Sequence, residues 1–342
     1  MTTFDTIKIQ VNTDALKEFN VTKFQQYGEG GKYIKKGKKV HGYKVENIGH
    51  GVNGIKVDFI TEKVTMRVSG KILKNDYFKG INTNTFGQVT DELNKTDFIQ
   101  LDGHKLWNDG HIFTCDVVNH IPECPNYYGR LAKVPFDTKH QVQHFNTSRN
   151  KGIVIHGTQT SFKERQIHYN KTLDLMKDTQ SRKFLSECNA NALMKDFEGK
   201  VRIETNIVNF KRIRAFFDVF GDKEPNGVYG APRIEDVFTS TQNVNQFAFS
   251  KLTKNVQMNL LQMFDQYDGI KLSHELKIRG MKGIMEDLQN DWKLIERYIR
   301  HRSPRNYRNV RKEFKKHYNG RLEGSYDVNI VQYITDELQK CA

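Results

Sequence analysis

Cysteine is sparse in this sequence: Cys115, Cys124, Cys188 and Cys341 are scattered through 342 residues. No CxxC pair occurs, which excludes a zinc ribbon and a thioredoxin-type motif. So few thiols in so long a chain point to a reducing cytoplasm and not to a disulfide framework. No run of 18 apolar residues exists, so nothing in the sequence spans a bilayer. The opening MTTFDTIKIQV has no basic region leading into an apolar core and does not read as a signal peptide. A fixed-period repeat is also missing. Several catalytic signatures are absent as well. Gly28 to Lys39 is Gly- and Lys-rich, but Gly37-Lys38 is followed by Lys39, so the Walker spacing fails. His140 and His144 lie four apart without the glutamate of HExxH, and no His-hydrophobic-His pair, GxSxG or Cys-His nucleophile stands out. The expectation is a soluble intracellular protein whose chemistry uses none of these devices.

What the sequence has in excess is positive charge. Fifty-four Lys and Arg against 40 Asp and Glu give a net charge of +14. An excess of that size favours a polyanionic partner, most simply nucleic acid, through phosphate contacts and counterion release. Tryptophan is scarce, with two residues, while 22 Phe and 14 Tyr supply core material and some surfaces for base stacking. The charge concentrates late in the chain: Lys293 to Arg321 holds eleven Lys/Arg against Glu296 and Glu313. Lys293, Arg297, Arg300, Arg302, Arg305, Arg308, Arg311, Lys312, Lys315 and Lys316, with Tyr298, Tyr307, Phe314 and Tyr318 between them, suit a DNA backbone on paired helices. A solvated helical face is the plainer alternative, and no helix-turn-helix signature is clear. The basic stretch at 28–39 reads equally as a hairpin touching nucleic acid or as a solvated loop.

Taken in order, the first 210 residues alternate and the last 90 show helical spacing. Phe4 to Val11 is a first strand that alternates after Asp5, and Leu16 to Tyr27 reads as a short helix. Ile55 to Ile60 and Lys63 to Ser69 pair across a two-residue Thr61-Glu62 turn. Phe86, Val89 and Leu93 mark a helix capped near Asn82 or Thr83, and Asp102-Gly103 marks a turn. Phe184 to Met194 reads as helical, and 224–227 as a turn. The expected class is α+β: a catalytic domain on a mainly antiparallel sheet over residues 1–225, then a mainly helical basic region over 226–342.

Three places carry candidate chemistry. Ile153 to Tyr169 reads as strand, polar turn, strand, ending at Tyr169 with Lys171 two residues on. On a strand those two share a face, and a phenol needs a neighbouring cation or metal to act as a nucleophile. Alone, Tyr169 reads as an amphipathic sheet residue. In HIFTCDVVNHI, Asp116 has apolar neighbours, so it is either paired or metal-bound, or sits at a strand surface. In KVRIETN, Arg202 and Glu204 point to one side and Val201 and Ile203 to the other. That pattern is an exposed ion pair or, with Asp116, a hard-oxygen site for Mg²⁺ or Mn²⁺. Tyr127 and Tyr128, in a Pro/Gly-flanked loop, are the reserve candidates for a nucleophile.

These places, in this order, resemble the rolling-circle replication initiators of filamentous and related single-stranded DNA phages and the Rep-trans type initiators of Gram-positive plasmids. The likeness runs over about residues 60 to 220. Gly157-Thr158-Gln159-Thr160-Ser161, Arg165, Tyr169-Asn170-Lys171 and Asp174 match the nucleophile stretch, with Asp174 in place of a Glu. IFTCDVVNHI and KVRIETNI match its two acidic strands, and DTIKI and SGKILKNDYFKGINTN look like the phage versions. Ile167 stands where an Arg is usual, and Cys115 where Arg or Leu is common. The resemblance implies a metal-dependent DNA-nicking and rejoining enzyme with Tyr169 as nucleophile. Lys171 and Arg165 then lower the phenol's pKa or clamp phosphate, Asp116 and Glu204 hold Mg²⁺ or Mn²⁺, and Arg202 contacts DNA. Origin duplex and single strand are the implied partners, with host helicase and polymerase beside them, in the bacterial cytoplasm. The oligomeric state stays open, a dimer included. The alternative is an origin-binding or repressor protein that does not cut; a relaxase or transposase is a third reading.

Overall fold

Alternation along FDTIKIQVN sends Ile7, Ile9 and Val11 to one side and Lys8 and Gln10 to the other, and this segment forms strand β1 (Phe4–Asn12) at the middle of the main sheet. A computed structural model describes residues 2–28, 40–49, 51–134, 136, 143–147, 150–156, 165–223, 228–253, 280–281, 283–285, 288, 292–324 and 328–341. The basic stretch beyond Gly28, His140, the 157–164 connection with its Gly157–Ser161 motif, the 224–227 turn and the helical pattern of 256–267 lie outside the described residues. After β1 come β2 (Leu16–Phe19), β3 (Gln25–Tyr27), β4 (Gly42–Gly49), β5 (Val52–Asp58), β6 (Lys63–Ser69), α1 (Phe86–Asn94), β7 (Ile99–Leu101), α2 (Gly103–Asp109), β8 (His111–Pro122) and α3 (Tyr127–Leu131). The chain continues through β9 (Gln143–Thr147), β10 (Asn150–His156), β11 (Arg165–Tyr169), α4 (Lys171–Met176), α5 (Thr179–Ser186), α6 (Ala190–Phe197), β12 (Lys200–Ile207) and α7 (Phe210–Phe217). It ends with β13 (Gly221–Lys223), β14 (Tyr229–Pro232), α8 (Ile234–Thr239), α9 (Val244–Leu252), α10 (Trp292–Arg302), α11 (Tyr307–Gly324) and α12 (Val328–Lys340).

The protein is α+β, built on a ten-stranded sheet in the order β3-β4-β5-β6-β1-β8-β12-β11-β10-β9, antiparallel at every step. Its two faces differ. On the back, Ile7, Ile9, Val64, Met66, Cys115 and Val117 meet α7 and α8 through Ile213, Phe217, Ile234 and Phe238. Further along that face, Ile153, Ile155, Val201 and Ile203 pack against α3, α9 and α12. Polar side chains are threaded through this second core. The Nδ1 of buried His168 lies 2.6 Å from the Tyr127 hydroxyl, and its Nε2 lies 2.9 Å from the Gln166 Oε1. Gln166 donates to the Asn245 carbonyl, and Asn245 donates to Asn119 at 2.6 Å. Such satisfied networks fix one packing arrangement, because each buried group left unpaired costs about 1–3 kcal/mol.

The front face is polar and half covered. A short 3-10 segment, Gly70–Lys79, and helices α4 to α6 seat a small cluster of Tyr77, Leu175, Phe184, Leu193 and Phe197 over one end of β12 and β8. The cover stops short of the row formed by Arg165, Asn206 and Asp116, which face one another on β11, β12 and β8.

Several expectations are corrected by tertiary pairing. Leu16 to Tyr27 forms no α-helix but two short strands around a 3-10 turn at Val21–Lys23: Leu16 and Phe19 pair with Leu101 and Ile99 in a two-stranded sheet, and Phe19 meets Phe24 edge-on at 5.4 Å. The β5–β6 connection takes four residues, not two, with the Asp58 Oδ1 accepting from the amides of Ile60 and Thr61. Asp102-Gly103 starts α2, the aspartate capping the amides of His104 and Lys105. The helical stretch expected over Phe184 to Met194 is the end of one helix and the start of the next, which Asn189 caps. Described elements on both sides of residue 225 contribute to the back-face cores. Beyond it, α8 and α9 finish the back-face core, and α12 returns with Ile330, Val331, Ile334 and Leu338 buried against β8 and α3. Helices α10 and α11 form their own cluster around Ile295, Ile299 and Phe314.

Candidate active site

The site grows from register. In the β11–β12–β8 ladder Tyr169 stands opposite Arg202 and Arg202 opposite His120; one step on, Ile167, Glu204 and Val118 align. Residues paired in this way share a face, so Tyr169, Arg202, Glu204, His120 and Asp116 all point to the front. Gly152 is Tyr169's partner on β10, and a side chain there would strike the Tyr169 Cβ at 2.7 Å. Between Phe4 and Thr6 the β1–β8 register shifts, β1 advancing two residues while β8 advances one, and this bulge swings Asp5 toward the front face.

Tyr169 ends its strand. Asn170 then caps α4, accepting from the Leu173 amide at 3.0 Å, and Lys171 is the first helical residue. Lys171 therefore does not share a strand face with Tyr169, as the spacing predicted; the helix turn brings its Nζ back to 3.3 Å from the phenol oxygen. Asp174, one turn on, accepts from the same Nζ at 2.8 Å. The Tyr169 hydroxyl donates to the Glu204 Oε1 at 2.6 Å. Arg202 donates its Nε to that same oxygen at 2.6 Å and an NH2 to Asp5, whose Oδ1 also accepts from Tyr77 at 2.9 Å. Arg202 is 1 % exposed and Tyr169 7 %. Arg202 is therefore neither the exposed partner of a surface ion pair nor a free DNA contact; its guanidinium is taken up inside the site.

Electrostatics follow from this crowding. Burial and the Glu204 charge push the Tyr169 phenol well above its ordinary value, and Lys171 and Arg202 do not overcome them. This reverses the expectation that neighbouring cations lower it: the resting group is a phenol. Lys171 keeps its proton against burial because the Asp174 carboxylate accepts from its Nζ at 2.8 Å. At Asp5 burial is likewise outweighed, by Arg202 and Lys171, and the carboxyl is held below its usual value. His120 lies 3.5 Å from Arg202 and stacks on Phe78; burial and the cations Arg202, Lys200 and Lys171 keep it neutral. Asp116 goes the other way. Burial, together with Glu204 and Asp5, raises it to about 6 against the hydrogen bond from Asn206.

Among the described residues no group of three or more His, Cys, Asp or Glu is arranged to hold a metal. Asp116 and Glu204 carry the oxygen donors that a hard divalent cation takes. Both offer carboxylate oxygens on one face, and Mg²⁺ commonly takes one or two carboxylates and completes its shell with water and phosphate. The raised Asp116 carboxyl is short of positive charge, which such an ion supplies.

Not every candidate joins the site. Arg165 is exposed at the far end of β11, opposite Asn206 and four residues from Tyr169, a separation of about 13 Å along a strand. Tyr127 and Tyr128 are buried in α3 in the back-face core, behind the sheet from Asp116 and Glu204, which removes them as reserve nucleophiles. On α10 and α11, Lys293, Arg297, Arg300, Arg302, Arg305, Arg308, Lys312 and Lys315 are exposed, while Arg311 is bound to Glu296 at 2.6 Å. The Lys316 side chain lies outside the described residues. Phe314 is buried in the core of this helix pair, while Tyr298 and Tyr307 are half-buried against it. Asp5, Tyr77, His120 and Gly152 were not singled out from the sequence. One trace of Asp5 was visible: the alternation of β1 starts only after it.

No family model matches the chain, and no curated protein matches it. Among solved structures it is similar to a rolling circle replication initiator protein from Geobacillus stearothermophilus, at 12 % identity over 64 % of this chain and 80 % of that one, with a TM-score of 0.30. A shape overlap of that size carries no argument about the chemistry of this chain.

The Asp116 carboxyl binds its proton more tightly folded than unfolded, so it favours folding below about pH 4 and loses that contribution as pH rises through about 6. Replacing it by Asn, which keeps the acceptor for Asn206, is expected to raise stability in EDTA at pH 8 by about 1–3 kcal/mol and to have little effect at pH 4. Urea denaturation at the two pH values measures this; an equal effect at both contradicts the assignment.

Proposed function

We propose that the protein nicks and rejoins a DNA strand by tyrosine attack, as an initiator of rolling-circle replication. The observation that carries this reading is the Tyr169 hydroxyl, held at 2.6 Å by Glu204 with the Lys171 ammonium at 3.3 Å. A sheet tyrosine with only a structural role has no need of a base and a buried cation on the same oxygen.

The chain's own groups account for the steps. Because the phenol rests protonated, a base must take its proton as it attacks, and Glu204 is bonded to that hydrogen. Lys171 steadies the developing charge on the phenol oxygen and on the phosphoryl oxygens beside it. The Tyr169 oxygen bonds to phosphorus and the P–O3′ bond breaks. The departing oxygen takes a proton from water, leaving a 5′-phosphotyrosine and a 3′-OH from which a polymerase can extend. Rejoining is the reverse: a 3′-OH attacks the phosphotyrosine and the phenol recovers its proton from Glu204. Arg202, tied to Asp5 and Glu204, acts by fixing the base. Asp116 and Glu204 would hold Mg²⁺ or Mn²⁺, which supplies charge neutralisation at the phosphate. Arg165, at the open end of the face, is assigned to the strand backbone rather than to the phenol.

The exposed cations of α10 and α11 are assigned to origin duplex. The expectation for Tyr169→Phe is loss of covalent adduct and nicking of supercoiled origin DNA with duplex binding intact. Glu204→Gln should slow adduct formation by roughly 10²–10⁴-fold. Retained nicking by the Phe variant moves the nucleophile elsewhere. Combined Arg297→Gln, Arg308→Gln and Lys312→Gln should weaken duplex binding and flatten its salt dependence by about 0.9 for each phosphate no longer neutralised. An unchanged slope takes the helix pair out of the interface.

A further inference from the structure

Beside the site runs a groove of about 310 Å³ between the β4–β5 turn and α5. Its floor is the start of the Gly70–Lys79 segment, and it is lined by Lys71, Lys183, Asn47, Asn53, Gln180 and Glu187, among others. The wall is rigidly seated. Gly51 has φ +82, a side chain there would strike the Ile72 backbone nitrogen at 2.2 Å, and its carbonyl accepts from the Ser69 amide at 2.7 Å. Lys71 is half-buried, with its ammonium 5.4 Å from the centre of the Phe184 ring. Neither Lys71 nor Lys183 has an ion-pair partner within 4 Å among the described residues, whereas most other cations around the site do: Lys171 has Asp174, and Arg202 has Asp5 and Glu204. Lys71 also interacts electrostatically with Lys171, Asp5 and Asp174, the groups that surround Tyr169.

A half-buried ammonium next to a second cation is costly unless an anion comes to it. Burial and Lys171 push the Lys71 pKa below its ordinary value against the opposing pull of Asp5, Asp174 and Asp178, none of which pairs with it within 4 Å. We propose that this groove is the path of the single DNA strand flanking the scissile phosphate, with Lys71 binding the next backbone phosphate and Lys183 one further out. This deepens the strand-cleaving reading and rests on it for the direction of the strand. The amides of Asn47, Asn53 and Gln180 face the same space and can hydrogen-bond sugars or base edges, and Glu187 limits the number of phosphates the groove accepts.

The test measures binding without cleavage. In a Tyr169→Phe background, fluorescence anisotropy with a labelled oligothymidylate about 20 nucleotides long compares Lys71 with K71Q and Lys183 with K183Q. K71Q should weaken binding about ten-fold and flatten the slope of log affinity on log salt by about 0.7, the value for one phosphate on a single strand. K183Q changes an exposed side chain and so keeps the fold; it should flatten the slope in the same way. Affinity and slope unchanged in both variants overturn the proposal. If K71Q weakens binding while the wild-type protein forms no covalent adduct, the groove stands and strand cleavage falls. If the adduct forms and both variants bind like their parent, the groove alone falls.

Discussion

One buried guanidinium holds the site together. Taking Arg202 out of water costs several kcal/mol, and only good geometry with opposite charges offsets it. Asp5, displaced by the bulge in β1, and Glu204, two residues along β12, supply those charges, and the Tyr77 ring lies 5.3 Å from the guanidinium. Because the Arg202 Nε and the Tyr169 hydroxyl share one Glu204 oxygen, the arginine also fixes where the phenol points. Three strands, β1, β12 and β11, thus converge on one proton.

The two sides of β11 and β12 divide the work. Behind the sheet, His168, Gln166, Thr205 and Asn245 are fully paired and neutral; burial pushes His168 down to about 3. That network anchors α9 without placing charge behind the site. In front, charge is plentiful and imperfectly matched: Asp116 is short of a cation and Lys71 of an anion. A phosphodiester together with a divalent cation would supply both.

Much of this was legible in the sequence, and the exceptions have physical causes. The alternation of KVRIETN fixed which of its side chains share a face, since strand periodicity is local. The strands carrying Asp116, Glu204 and Tyr169 could be read from their own residues. Which strands lie side by side could not, so the meeting of Asp5 with Arg202, 197 positions apart, was hidden. The position of Lys171 was misread because the Asn170 cap converts strand to helix within one residue. Leu16 to Tyr27 looked helical because its apolar spacing suits a helix, and only pairing with Ile99–Leu101 decides against it. Tyr127 and Tyr128 sit between Pro- and Gly-rich segments that suggest a loop, yet they are core. Arg165 resembled a catalytic residue by motif, and strand geometry carries it away from the phenol.

The account stands or falls on the bond made by Tyr169. The protein should be incubated with origin-bearing single-stranded DNA and Mg²⁺ or Mn²⁺, then digested with nuclease and protease, and the nucleotide-bearing peptide sequenced by mass spectrometry. The account predicts a 5′-linked nucleotide on Tyr169, in the peptide that spans Gln166 to Lys171. A nucleotide on any other side chain, or cleaved DNA with no peptide attached, would contradict it.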